Sequence, residues 1–236
     1  MSVTPDPLAL NDAQIISSWR TNAAPWSAAV RRGEIESRRL VTDRVILDAI
    51  LRRAPGRVLD IGCGEGWLSR ALTEHGIEVI GIDAVPALVE AARAAMPQGD
   101  YRVASYEEVA AGALDVTVDL AVANFSLIGK DAVDALVRHV PSLLVPCGHF
   151  IVQTLHPATA RGELPYRELP YRDGWRAGSW AGFSAAFTDP APWYFRTLES
   201  WVSLLLDNAL ALQELREPVH PGSGQPASLL LVAQAV

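Results

Sequence analysis

Short apolar runs alternate along the chain with longer segments whose apolar residues recur at helical spacing, which predicts an α/β protein. Near the start, Asn11 or Asp12 is placed to cap a helix through Trp19. A second helix over 35–51 follows from apolar residues at 35, 40, 41, 45, 46, 47, 50 and 51, and Pro55-Gly56 ends it. Val58 to Ile61 predicts the central strand, 67–75 a helix closed by Gly76, and 78–82 a strand that runs out at Asp83. Pro86 opens a helix to about Met96, and then come strand 101–104, helix 107–111, strand 117–123, helix 131–144 and strand 148–155. A helix over 198–208 and strands over 212–218 and 228–235 complete the pattern. The turn Pro221-Gly222-Ser223-Gly224 between those strands is short enough for antiparallel neighbours.

The first strand leads straight into Asp60-Ile61-Gly62-Cys63-Gly64-Glu65-Gly66, an acid and three glycines at alternate positions, before a helix. Without side chains the turn can take positive φ and a ligand can lie against the backbone, where the helix also points its free amides. A dinucleotide-binding loop would need its third glycine three residues after the second, and that position is Trp67. A second acid, Asp83, closes the next apolar run, where it can accept both hydroxyls of a ribose. The plainer alternative is a glycine-rich turn in some other α/β domain.

These residues resemble the first motif, D-x-G-x-G-x-G after a strand, of the class I, Rossmann-like S-adenosylmethionine-dependent methyltransferases, and they match it without a gap. The resemblance extends over roughly residues 55–236. It implies a doubly wound, mostly parallel seven-stranded sheet whose last strand is antiparallel, and S-adenosylmethionine as cofactor. It places the methionine part against Asp60, Gly62, Cys63, Gly64 and Gly66, and the ribose on Asp83. Trp67, Ala84 and Val85 would give apolar walls, and Ser105 and Tyr106 the adenine contacts, Ser105 only weakly because relatives carry an acid there. Asn124 and Phe125 would flank the methionine part, and Trp19, Arg20 and Trp26 could fold over the cofactor. Its carboxylate would meet Arg38 or Arg39; helical phasing lets either point inward, and Arg39 is preferred.

At 236 residues the chain suits one domain: a helical lid over 1–54, a cofactor-binding core over 55–156, a substrate-lid insertion over 157–196, and a helix and hairpin over 197–236. A net charge of −7 weakens the case for a nucleic-acid substrate, and the arginines at 31, 32, 38, 39 and 44, interspersed with acids, read as a solvated face. Cys63 and Cys147 have no partner spacing for zinc, so free thiols and no metal are expected. No apolar run approaches about 18 residues, and 1–10 lacks a basic, apolar leader, so no membrane contact and a cytoplasmic monomer or homodimer are expected.

Nine of the 17 aromatics fall within 157–196, together with Pro165, Pro170, Pro190 and Pro192, and this density argues against disorder and for a lid over the site. A loop-anchoring cluster or a dimer contact is the competing explanation. Methyl transfer is an in-line displacement that needs alignment and exclusion of water. A hydroxyl acceptor also gains from a base, and His156, at the carboxyl end of the fifth strand, is the candidate; the alternative is a histidine that caps the strand. His75, His139 and His149 read as structural. Asn124-Phe125-Ser126-Leu127 lacks the N-P-P-Y pattern of adenine and glutamine methyltransferases, which leaves a small-molecule acceptor, with oxygen favoured as the nucleophile. A binding protein that has lost catalysis, or an enzyme using a modified S-adenosyl ligand, are the rivals.

Overall fold

The computed structural model describes residues 10–160 and 170–236, so Tyr166 of the insertion lies outside the described residues. Seven strands form one sheet in the order β3-β2-β1-β4-β5-β9-β8: β1 (Arg57–Ile61), β2 (Glu78–Asp83), β3 (Asp100–Val103), β4 (Val118–Asn124), β5 (Leu144–Thr154), β8 (Leu210–Arg216) and β9 (Leu229–Ala235). The first five are parallel, and β9 runs antiparallel to both β5 and β8. The architecture is therefore the expected one, down to the single reversed strand.

Helices α2 (Asp43–Leu51) and α3 (Trp67–Glu74) cover one face, with α4 (Pro86–Ala95) beside β2 and β3. Helices α5 (Tyr106–Ala110), α6 (Asp131–Leu143) and α7 (Leu198–Leu206) cover the other. Successive residues of a strand serve opposite faces: Val58, Leu120, Ile151 and Leu230 pack toward α2 and α3, while Leu59, Ala121, Phe150 and Leu231 pack toward α6 and α7. Burial on both faces is why the middle of β4, Leu120 to Ala123, reads as an unbroken apolar run. Among the described residues no helix is long and apolar enough to cross a membrane.

Three elements depart from the expectations. Helix α1 runs over Asp12–Arg31, well past Trp19 and through Pro25; a capping box between Asn11 and Gln14 starts it, and Asn22, Ala23, Ser27 and Ala29 are buried along it. The helix expected over 35–51 instead begins with a π-helical turn, Arg38–Thr42, in which the Asp43 amide reaches back to the Arg38 carbonyl. Strand β5 starts at Leu144, because the pairing of β4 with β5 shifts register between Val118 and Leu120 and admits extra residues ahead of Gly148. Part of the insertion pairs as a small antiparallel ladder, β6 (Gly174–Arg176) with β7 (Trp193–Phe195).

Candidate active site at the carboxyl edge of the sheet

The three glycines after β1 all take left-handed φ, but they face different neighbours. A Cβ on Gly62 would sit 2.4 Å from Cβ of Ser126 and 2.9 Å from the Tyr106 hydroxyl, and one on Gly66 would sit 2.8 Å from the Tyr101 hydroxyl. These two serve close packing inside the protein. A Cβ on Gly64 would meet nothing nearer than the Trp26 indole nitrogen, 3.8 Å away, so Gly64 is the bare backbone that faces outward.

The loop is stitched to β2. Gly62 and Cys63 donate to the Ile82 carbonyl at 2.8 and 2.9 Å, and Gly64 donates to Oδ2 of Asp83 at 2.9 Å. The other Asp83 oxygen accepts from the Val85 amide at 2.9 Å. Each oxygen keeps a lone pair beyond these bonds. Burial pushes the Asp83 carboxyl up to about 6, against the two amide bonds that favour its charge.

Asp60 faces inward. It is 2% exposed, accepts from the Ser69 hydroxyl of α3 at 2.7 Å, and is pushed up to about 7, chiefly by burial and further by Asp83, with Ser69 opposing. It braces the loop from below through this bond to α3. Cys63 likewise contributes only backbone, since its side chain lies among Val89, Ala92, Met96 and Tyr101, where burial drives the thiol up. Between Gly64 and Gly66, the Glu65 side chain is buried completely. Arg70 holds both its oxygens at 2.8 and 2.9 Å, and Arg31 of α1 reaches Oε2 at 3.1 Å. Glu65 was not among the expected residues; an acid between two motif glycines carries no pattern that announces a partner 34 residues upstream.

Ala84, half-buried, follows Asp83 at the turn into α4. Ser105 caps α5: its hydroxyl accepts from the Glu108 amide, and its own amide donates to the Glu108 carboxylate. Ser105 is thus the N-cap of α5, with one lone pair of its hydroxyl taken up by the Glu108 amide. The Tyr106 hydroxyl turns toward Gly62 and donates to the Ser126 carbonyl at 3.1 Å.

At the end of β4, Phe125 takes a left-handed φ of 54°, a conformation that costs a bulky side chain energy and so marks a site of constraint. Its amide donates to the Gln153 carbonyl at 2.7 Å. Gln153, fully buried and not anticipated, donates its side-chain amide to Oδ1 of Asn124 at 2.8 Å and to the Thr42 carbonyl at 3.0 Å. It thereby ties the π turn to the tip of β4 and holds Asn124 in place.

Arg38 is the buried member of its pair. It meets Asp43 at 2.9 Å and lies over the Trp67 ring at 4.6 Å, whereas Arg39 is exposed. Phasing could not choose because the π turn breaks the 3.6-residue period at this point. The Arg38 guanidinium is thus already paired and stacked, which leaves less of it for another carboxylate.

His156 sits at the expected edge, but its ring turns inward. It is 7% exposed; Nδ1 accepts from the Ala158 amide at 3.2 Å, and Nε2 lies 2.7 Å from Oε1 of Glu217. An amide proton on Nδ1 fixes the proton on Nε2, which then donates to Glu217. With both nitrogens engaged, His156 anchors the chain after β5, and the role of base expected for it gives way to that of a strap.

The insertion closes over this edge. The Tyr194 amide donates to the Ile128 carbonyl at 2.7 Å, and Leu127, Thr154, Leu155, Pro157, Trp193 and Trp201 line a narrow pocket where β4 and β5 end. Arg196, 3% exposed, lies between the rings of Tyr194 and Trp201 and donates to the Gly129 carbonyl and to Asp134. From the other side α1 crosses the edge, with Trp26 over Gly64 and Ala23 packed on Val85 and Leu88.

The arrangement fits an adenosyl amino acid: an outward-facing glycine that a Cβ would block, and a carboxylate beside it at the end of β2 with lone pairs to spare. A family model described as a methyltransferase domain matches residues 35–204. The ubiquinone biosynthesis O-methyltransferase of Xanthomonas campestris pv. campestris (strain B100) is 38% identical over 126 residues, 49% of this chain and 51% of its own length. The protein of the same name from Xanthomonas axonopodis pv. citri (strain 306) is 36% identical over 121 residues, 48% and 49% of the two chains. The chain thus spans about half the length of the curated relatives it matches. Among solved structures, an S-adenosylmethionine dependent methyltransferase from Mesorhizobium loti is similar with a TM-score of 0.60 at 25% identity, over 80% of this chain and 95% of its own. The 1,6-didemethyltoxoflavin-N1-methyltransferase of Burkholderia thailandensis, bound to 1,6-didemethyltoxoflavin and S-adenosylhomocysteine, shares the fold with a TM-score of 0.64 at 20% identity, over 100% of this chain and 93% of its own. Because the domain model covers well over half of it, the chain belongs to the class I S-adenosylmethionine-dependent methyltransferases, and its cofactor is S-adenosylmethionine.

Proposed function

We propose that the protein methylates a small molecule, at an oxygen, held between the carboxyl edge of the sheet and the aromatic insertion. The observation that carries this reading is the aromatic cover itself: Trp193 stands where β4 and β5 end, and Trp180, Phe183 and Phe187 pack together beside α1, apolar surface suited to a flat or apolar acceptor. The choice of oxygen is supported by the curated relatives, which are named O-methyltransferases. A net charge of −7 disfavours a nucleic-acid acceptor.

In this reading Asp83 accepts the ribose hydroxyls, Gly64 presents its backbone to the methionine part, Arg39 meets its carboxylate, and Asn124 and Phe125 stand beside it. When bound, the cofactor supplies a methyl group made electrophilic by a sulfonium. The protein's own work is to align the acceptor for in-line attack and to keep water out, which the insertion and α1 do together. With His156 committed to Glu217, an acidic hydroxyl such as a phenol, which ionises with little help, is the acceptor that asks least of the site. The same commitment of His156 favours, as a second reading, a protein that binds the cofactor without turnover.

Titration calorimetry with S-adenosylmethionine and S-adenosylhomocysteine tests the cradle, and binding of neither at millimolar concentration removes the proposal. Release of S-adenosylhomocysteine in the presence of a panel of phenols and other hydroxy compounds separates the two readings.

A further inference from the structure

Two side chains of α1 fasten the aromatic segment, Asn22 and Ser18, and Asn22 makes the fuller set of bonds. Asn22 is fully buried; its Nδ2 donates to the Thr188 carbonyl at 2.7 Å, and its Oδ1 accepts from the Thr188 amide at 3.0 Å. A side chain here makes the paired bonds that one strand makes with another. The Thr188 carbonyl also accepts from the Trp180 indole at 2.9 Å, so the group that holds the segment also orients its central ring. The second hydrogen of Nδ2 goes to the Ser18 carbonyl at 2.9 Å, and the Ser18 hydroxyl donates to the Asp189 carbonyl.

Rings surround this junction. Trp180 meets Trp19 edge-on with centroids 5.8 Å apart, Trp19 meets Trp26 at 5.0 Å, and Trp26 faces Phe183 at 6.4 Å. Trp26 is the innermost, lying over Gly64. Contacts therefore run from Thr188 through Trp180 and Trp19 to Trp26, whose indole nitrogen stands 3.8 Å from where a Cβ on Gly64 would lie. Meanwhile α1 is held at both ends independently of Asn22: Asp12 accepts from the Lys130 and Ala132 amides, and Arg31 pairs with Glu65.

We propose that Asn22 is a positioning residue of the methyl-transfer site, a latch that keeps segment 180–188 on α1 and Trp26 over Gly64 and so sets how long the cofactor stays bound. The proposal rests on the reading of Gly64 and Asp83 as the cofactor cradle. Without the Asn22 amide the Thr188 N–H is stranded beside apolar rings, and the segment satisfies it by opening to water. Because the ends of α1 keep their own anchors, opening does not require unfolding.

The test uses the full chain, with stopped-flow displacement of S-adenosylhomocysteine followed by tryptophan fluorescence, alongside amide exchange. For Asn22→Ala the dissociation rate rises at least tenfold, exchange at 180–188 speeds up, and exchange in the central strands stays as in the wild type. Asn22→Asp, which keeps the acceptor but turns a carboxylate on the Thr188 carbonyl, behaves like Asn22→Ala at neutral pH. Trp180→Phe, which keeps the ring and loses its bond to Thr188, raises the rate at least threefold, and this variant carries the test should the Asn22 variants fail to fold. A folded Asn22→Ala protein, or Trp180→Phe in its place, that releases the ligand at the wild-type rate overturns the latch alone. A wild type that does not bind the ligand at millimolar concentration overturns the cradle, and the latch with it.

Discussion

Gly62 and Gly64 share a motif and a backbone conformation, yet substitution tells them apart. In Gly62→Ala the new methyl collides with Ser126 at a φ of +72°, so a loss of about 2–4 kcal/mol in unfolding free energy is expected by denaturant titration. Gly64→Ala meets only the Trp26 indole nitrogen at an ordinary contact distance of 3.8 Å and carries the left-handed penalty of about 1–2 kcal/mol, while its cofactor affinity falls at least tenfold by calorimetry. The buried acids give a pH signature. Asp60 binds its proton more tightly folded, near pH 7, than unfolded, near the ordinary 3.8, so its contribution to stability is greatest below about pH 4 and declines as pH rises to about 7. Asp60→Asn should flatten that slope in thermal melts taken across pH 4–8. On the proposed reading Asp83 accepts two hydroxyls as an ionised carboxylate, so cofactor affinity should weaken as pH falls through about 6, and Asp83→Asn should abolish this dependence. At this scale the motif was legible because Asp60 to Gly66 are contiguous. What each residue faces was not: the ring of His156 and the thiol of Cys63 could point either way until their neighbours were known.

The elements that sequence foretold are those whose signals are local and periodic. The strand-helix alternation from β1 to α6 needed only apolar spacing and the punctuation of Gly76, Pro86 and Pro97. Elsewhere the partners are remote. Lys130 opens α6 with no side-chain cap of its own, and Asp12, 118 residues earlier, supplies the bonds to Lys130 and Ala132 at 2.7 and 2.9 Å. Asp12→Ala should therefore cost about 0.5–2 kcal/mol, as an ordinary cap does, read as a lowered melting temperature. The length of α1 was hidden for the same reason, since its buried face is matched by the insertion and the glycine loop rather than by any repeat within it. The π turn at Arg38–Thr42 has no sequence rule, and it cost the phasing argument its power to choose an arginine.

For the whole molecule, stability comes from a sheet covered on both faces. Leu120 is fully buried between β1 and β5, and Leu120→Ala should cost about 2–5 kcal/mol, measured as a shift in denaturant midpoint with little change in slope. The order β5-β9-β8 also has a consequence in time. Strand β9 sits between two strands made before it, so a chain emerging from the ribosome carries β5 as an open edge, apolar on both sides, until residues 229–235 are released. The parallel half can assemble early, while its far edge stays adhesive for the length of the hairpin's synthesis. Nascent chains arrested before Leu229 should accordingly recruit chaperones or aggregate, and chains arrested after Ala235 has cleared the tunnel should resist protease.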